Sequence, residues 1–178
     1  MSGLDFIYPE DPEEFYDVLL VQLKNLLEGE RQLIAGLSNA AALLYQALPE
    51  VSWAGFYLYR QGGLLLGPFQ GKPACIRIPV GKGVCGAALE DGKTQLVADV
   101  LEYPGHIACD SAARSELVIP IYAGGGIAGV LDLDSPQTAR FDQVDAACLR
   151  EAAGILAEML DWPGKDYDVY ISEQNQIQ

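Results

Sequence analysis

The 178-residue chain predicts an α+β domain, with one antiparallel sheet in its middle and helices from both chain ends packed on one face. Three observations carry this. Apolar residues recur at helical spacing between Asp11 and Pro49, the period changes to two from Val51, and a helical pattern returns from Asp142 to Leu160. Half of the residues are hydrophobic, which fills one core and is little for two. The expected division is a single domain over 1–162 and a polar tail over 163–178.

The elements follow in order. Residues 1–10 read as a lead-in. Asp11-Pro12-Glu13-Glu14 starts a helix: Asp caps, Pro takes the first helical position, and acids fill the first turn. Phe15, Leu19, Leu23 and Leu26 mark its apolar stripe, and Gly29 ends it. A second helix runs from Leu33 to Leu48 and stops at Pro49. Val51 to Tyr59 is a strand rich in aromatic residues, ending in the turn Gln61-Gly62-Gly63. Leu64-Leu65-Leu66 returns as a strand, broken at Gly67-Pro68, and Ala74 to Pro79 is a third. Gly81-Lys-Gly-Val-Cys-Gly86 opens a short helix that closes at Asp91-Gly92. Thr94 to Val100 is a fourth strand. Glu116 to Tyr122 and Ile127 to Asp134 form a hairpin across Ala123-Gly-Gly-Gly126. Asp142 to Leu160 is the last helix.

Charge and cysteine usage narrow the function. The formal net charge is −14, from 25 acidic against 11 basic residues. Such a balance repels nucleic-acid phosphates and anionic lipid, and attracts small molecules bearing an ammonium group. There is no signal-peptide pattern and no apolar run of about 18 residues, so the expectation is a cytoplasmic chain with reduced thiols. With no CxxC pair and a single histidine, no structural metal is expected.

The polar loop His106 to Glu116 holds that histidine and Cys109, a thiol set among hydroxyls, a carboxylate and the Arg114 guanidinium. Loops on a rigid scaffold are where chemistry concentrates, so Cys109 is the candidate nucleophile and His106 a plain loop imidazole. Cys148, beside Ala146 and Ala147, reads as structural. Cys85 sits where a Gly-rich turn enters a helix, whose positive end favours thiolate. Cys75 starts a strand and competes as a small core residue. Alternation places Trp53, Gly55 and Tyr57 on one strand face, with the glycine leaving a gap between the rings. Leu131 and Leu133 share a face, and Asp132 and Asp134 share the other. If the leucines meet the helices, the aspartates face the opposite side.

Together Trp53-Ala-Gly-Phe-Tyr57, Gly83-Val-Cys-Gly86, Pro104-Gly-His-Ile-Ala-Cys-Asp110, Arg114-Ser-Glu116 and Gly129-Val-Leu-Asp-Leu-Asp-Ser135 resemble the free methionine-(R)-sulfoxide reductases, small proteins of GAF fold. The likeness runs from about Glu13 to Leu160. It implies a six-stranded antiparallel sheet with the terminal helices on one face, and a homodimer formed through those helices. It implies Cys109 as catalytic cysteine and Cys75 and Cys85 as recycling cysteines. The implied substrate pocket is Trp53, Tyr57, Glu116, Asp132 and Asp134.

The implied reaction reduces free L-methionine (R)-sulfoxide to methionine. Cys109 attacks sulfur, a pocket acid (Glu116 or Asp134) protonates oxygen, and the resulting sulfenic acid condenses with a second thiol. Thioredoxin, or another external dithiol, would then reduce the disulfide, with no bound cofactor. Crowded carboxylates cannot all ionise readily, so one is expected to keep its proton near neutral pH. The competing readings are a GAF-type module that binds a small ligand or senses oxidants without turnover, and a structural dimerising domain.

Overall fold

The computed structural model describes residues 8–105 and 112–163. Helix α1 spans Pro12–Leu26 and begins as the sequence dictates. The Asp11 carboxylate accepts from the backbone N–H groups of Glu13 (3.0 Å) and Glu14 (3.1 Å), while Pro12 sits where no N–H is needed. Its buried stripe is rotated from the expected one. Tyr16, Leu20, Leu23 and Leu27 face inward beside Leu19, whereas Phe15 is half-buried and Leu26 is 41% exposed. Both stripes have helical period, and only the neighbours choose between adjacent faces. Helix α2 (Leu33–Ala47) buries Gly36, Ala40 and Ala41 with Leu37 and Leu44. Gly36 lets Leu160 pack closely on α2: a Cβ there would lie 2.9 Å from Leu160 Cδ1 and would displace that side chain.

Six strands follow: β1 (Trp53–Arg60), β2 (Gly63–Gln70), β3 (Arg77–Pro79), β4 (Gln95–Val97), β5 (Ser115–Ala123) and β6 (Gly126–Ser135). They form one sheet in the order β3-β2-β1-β6-β5-β4, every pairing antiparallel. Helix α3 (Gly83–Asp91) lies between β3 and β4, and helix α4 (Gln143–Met159) closes the domain. Gly124 and Gly125, at φ 61° and 82°, make the two-residue turn joining β5 to β6, a conformation that favours glycine at both positions.

The strands differ from expectation at three places. β2 runs through Gly67-Pro68 without a break. β3 pairs only with Gly63, Leu64 and Leu65, so Pro68 lies beyond that pairing, and Gly67 and Pro68 form a bulge of β2 opposite Phe56 of β1. β3 is shorter than expected, leaving Ala74 and Cys75 in the loop before it. β4 is shortened too, and the chain turns into a single 3-10 turn at Val100–Glu102. The cause is Asp99, whose carboxylate accepts from the Leu101 N–H (3.1 Å) and draws the local backbone out of the ladder.

The two sheet faces have separate cores. α2 and α4 pack on Ala54, Phe56, Leu117, Ile119, Leu131 and Leu133, and α1 packs against those two helices. On the other face Trp53, Tyr57, Val118 and Val130 meet Val84, Cys85 and Ala88 of α3, with Leu64 and Ile78. The first core also holds a polar group: the buried Tyr16 hydroxyl donates to Asp145, which ion-pairs with Arg140 (3.1 Å). Asp145 completes the α4 capping box with Asp142. No helix of the described residues is long and apolar enough to cross a membrane.

Candidate active site

Strand register aligns the pocket residues. Trp53 of β1, Asp134 of β6 and Glu116 of β5 sit in one row across three strands. Gly55, Asp132 and Val118 form the next row. Residues opposite one another in a ladder point to the same face. The three carboxylates therefore gather with Trp53 and Tyr57 on the face away from α1, α2 and α4, while Leu131 and Leu133 face those helices. Together they line a narrow cleft, with a cavity volume of about 30 Å³. Its other walls come from Lys82, Gly83, Val84 and Cys85 at the start of α3, and from Ile78, Pro73, Ala74 and Ala113.

The aromatic wall is a stack. The Trp53 ring lies 5.3 Å from Phe69 at 13° and 5.9 Å from Tyr57 at 24°. The indole N–H donates to the Lys72 carbonyl (3.0 Å), which fixes the ring. Gly55 does not leave the expected gap. A Cβ there would lie 2.6 Å from Trp53 Cη2 and 2.9 Å from Phe69 Cα, because the rings have moved into that space. The glycine admits the stack.

Burial sets the electrostatics of the acids. Glu116 and Asp132 are each only 6% exposed. Desolvation pushes Glu116 well above the usual carboxylate range, and the charges of Asp132 and Asp134 push it further. Desolvation likewise raises Asp132, to about 7, against the lowering effect of hydrogen bonds with Cys85 and Glu116. One Asp132 oxygen, Oδ1, is buried with no hydrogen-bond partner among the described residues. The Tyr57 phenol is raised as well, by burial first and then by Asp132.

Cys85 departs from expectation. Its thiol points into the cleft, with Sγ 3.9 Å from Glu116 Oε1. Burial raises its pKa well above the ordinary thiol value, and the acids Asp132 and Glu116 add to that. The α3 end was expected to favour thiolate, but desolvation and adjacent negative charge oppose the anion more strongly. Cys85 Sγ and one oxygen each of Glu116 and Asp132 lie within 4.8 Å of one another, a donor set that a cation could use.

The other loop residues have definite fates. Cys75 is disulfide-bonded, so it is no free core thiol in this state, whereas Cys85 and Cys148 are free. Cys148 is half-buried beside the helical core. The Arg114 guanidinium, expected near the nucleophile, is held by Asp99 (2.7 Å). Cys109 and His106 lie outside the described residues. Phe69, Lys82 and Val84 were not singled out from the sequence. The glycines around Lys82 and Val84 were the available signal, since they allow a helix start to approach a sheet closely.

A GAF domain family model matches residues 35–161. The free methionine-R-sulfoxide reductase of Escherichia coli is 47% identical over 147 residues, covering 83% of this chain and 89% of that protein. The chain belongs to the free methionine-R-sulfoxide reductase family. Protein YtsP of Bacillus subtilis is 53% identical over 84% of this chain and 93% of its own. The crystal structure of the Neisseria meningitidis free methionine-R-sulfoxide reductase in complex with its substrate superposes with a TM-score of 0.84. It is 43% identical and covers 89% of this chain and 95% of that one. Of this reductase's implied pocket residues, Trp53, Tyr57, Glu116, Asp132 and Asp134 all reach the same cleft.

Proposed function

We propose that this chain reduces free L-methionine (R)-sulfoxide to L-methionine, with Cys109 as nucleophile and Glu116 as proton donor. The observation that carries the assignment is the buried carboxylate cluster on a stacked aromatic wall, in a chain of this family. Burial, with the charges of Asp132 and Asp134, raises Glu116 well above the usual carboxylate range, which suits a proton donor. Trp53 and Tyr57 would pack the S-methyl group. Asp134 would hold the α-ammonium, which a peptide-bound methionine lacks.

In the proposed cycle Cys109 thiolate attacks the sulfoxide sulfur while Glu116 protonates the oxygen. The substrate gains two electrons and leaves as the thioether, and Cys109 becomes a sulfenic acid. A second thiol attacks that sulfur, water departs, and a disulfide forms. Cys75 is the resolving partner we favour, since it is disulfide-bonded while Cys85 and Cys148 are free, in a chain with four cysteines. Thioredoxin or another dithiol then restores both thiols. Cys85, buried against Glu116, lines the pocket in this scheme instead of taking part in the first exchange.

Pre-reduced protein without added reductant tests this. Cys75→Ser should release one methionine per chain and stop, Cys85→Ser should retain disulfide formation, and Cys109→Ser should release none. Loss of the first turnover in Cys75→Ser would overturn the division of roles. Substrate binding without product would favour a sensing module.

The remaining proposals concern context. Residues 1–162 act as one catalytic domain and 163–178 as a tail, in the cytoplasm. Two copies pair through the terminal helices, where Val21 and Leu26 of α1 and Ile34 and Tyr45 of α2 are exposed apolar residues. Light scattering that gave a monomer mass would refute the pairing.

A further inference from the structure

Cys85, Glu116 and Asp132 present one sulfur and two carboxylate oxygens within 4.8 Å of one another, all from buried side chains. A tetrahedral zinc ion with bonds of about 2.3 Å to sulfur and about 2.0 Å to oxygen separates those donors by about 3.5 Å. Cys85 Sγ and Glu116 Oε1 are 3.9 Å apart, so closing that pair needs a few tenths of an ångström. An independent observation points to a ligand. Asp132, a cleft residue only 6% exposed, has Oδ1 buried without a hydrogen-bond partner among the described residues. A buried carboxylate oxygen left without a donor is costly, and a cation satisfies it directly.

We propose that this trio is a reversible inhibitory site for a thiophilic divalent cation of the zinc type. Thiolate and carboxylates supply three ligands, and the open side of the cleft leaves the fourth to water. The bound ion would occupy the acids that serve the substrate, so metal and amino acid would compete. Coordination makes metal–ligand bonds and releases the thiol proton, with no change of oxidation state. The inhibition rests on the reductase reading; the binding does not.

The test titrates Co²⁺, a spectroscopic stand-in for Zn²⁺, into protein with its disulfide intact, so that the free thiols are Cys85 and Cys148. One equivalent should bind with thiolate-to-cobalt absorption, and both Zn²⁺ and free methionine should remove that signal. Cys148→Ser should keep the absorption, Cys85→Ser should lose it, and Asp132→Asn should weaken binding at least tenfold. The Asp132 variant and competition on the unaltered protein serve if Cys85→Ser fails to fold. Absence of thiolate absorption, its survival in Cys85→Ser, or its loss in Cys148→Ser would each overturn the site, and indifference to methionine would overturn the competition and with it the inhibitory role. A protein that turns over methionine sulfoxide but takes no cobalt refutes the metal site alone. Cobalt binding without any turnover refutes the reductase reading instead.

Discussion

Asp132→Asn should make the protein more tolerant of alkaline pH while lowering its activity. The unfolded chain ionises this carboxyl near 3.8 and the folded chain near about 7. The folded pKa is raised, so the group's contribution to stability is complete below the unfolded value. It drains away as pH rises through that window, because folding must then bury a charge. Integrating between pH 5 and 8 with those two values gives a loss of about 2–3 kcal/mol. Urea unfolding at both pH values, with a chelator present, should therefore show the unaltered protein losing about 2–3 kcal/mol more than the variant. Glu116 contributes with the same sign in both proteins, and without the Asp132 charge its share shrinks, which widens the gap. Parallel stability curves for the two proteins would refute the claim that Asp132 is charged at a desolvation cost.

Other perturbations separate the cleft from the helical core. Glu116→Gln should lower kcat by about 100-fold or more, with no fall in Tm, if it is the proton donor; normal turnover would end that role. Gly55→Ala forces a methyl into the ring stack and should cost about 1–3 kcal/mol while raising KM, measured by chemical unfolding and initial rates. Asp145→Ala leaves Arg140 and Tyr16 without their shared partner and removes the reciprocal half of the α4 capping box, the bond from the Asp142 N–H. It should cost about 3–5 kcal/mol in urea yet leave kcat of the surviving folded protein within twofold, since it lies on the far side of the sheet.

Much of the architecture was legible because its signals are local. Asp11 and Pro12 start α1 through groups within one helical turn, and the glycines after Ala123 make the β5–β6 turn from their own φ angles. Alternation separated Asp132 and Asp134 from Leu131 and Leu133 because successive side chains in a strand point to opposite faces. The resemblance likewise rested on short contiguous motifs.

Where local signals ran out, neighbours distant in sequence decided. β2 passes Pro68 because β3 does not extend alongside it, and α1 buries Leu20 and Leu27 instead of Leu26 because of what packs there. The helix-start argument for Cys85 considered only backbone dipoles. It could not include Glu116 and Asp132, which come from strands β5 and β6.

By itself, then, the sequence determined which face of each strand the candidate pocket residues occupy, since that follows from a period of two. The tertiary structure alone decided the sheet order that puts Trp53, Asp134 and Glu116 in one row, and the burial that raises the proton affinity of Glu116 and Asp132. Proton affinity depends on the removal of water and the distance to other charges, and both are properties of the packed chain.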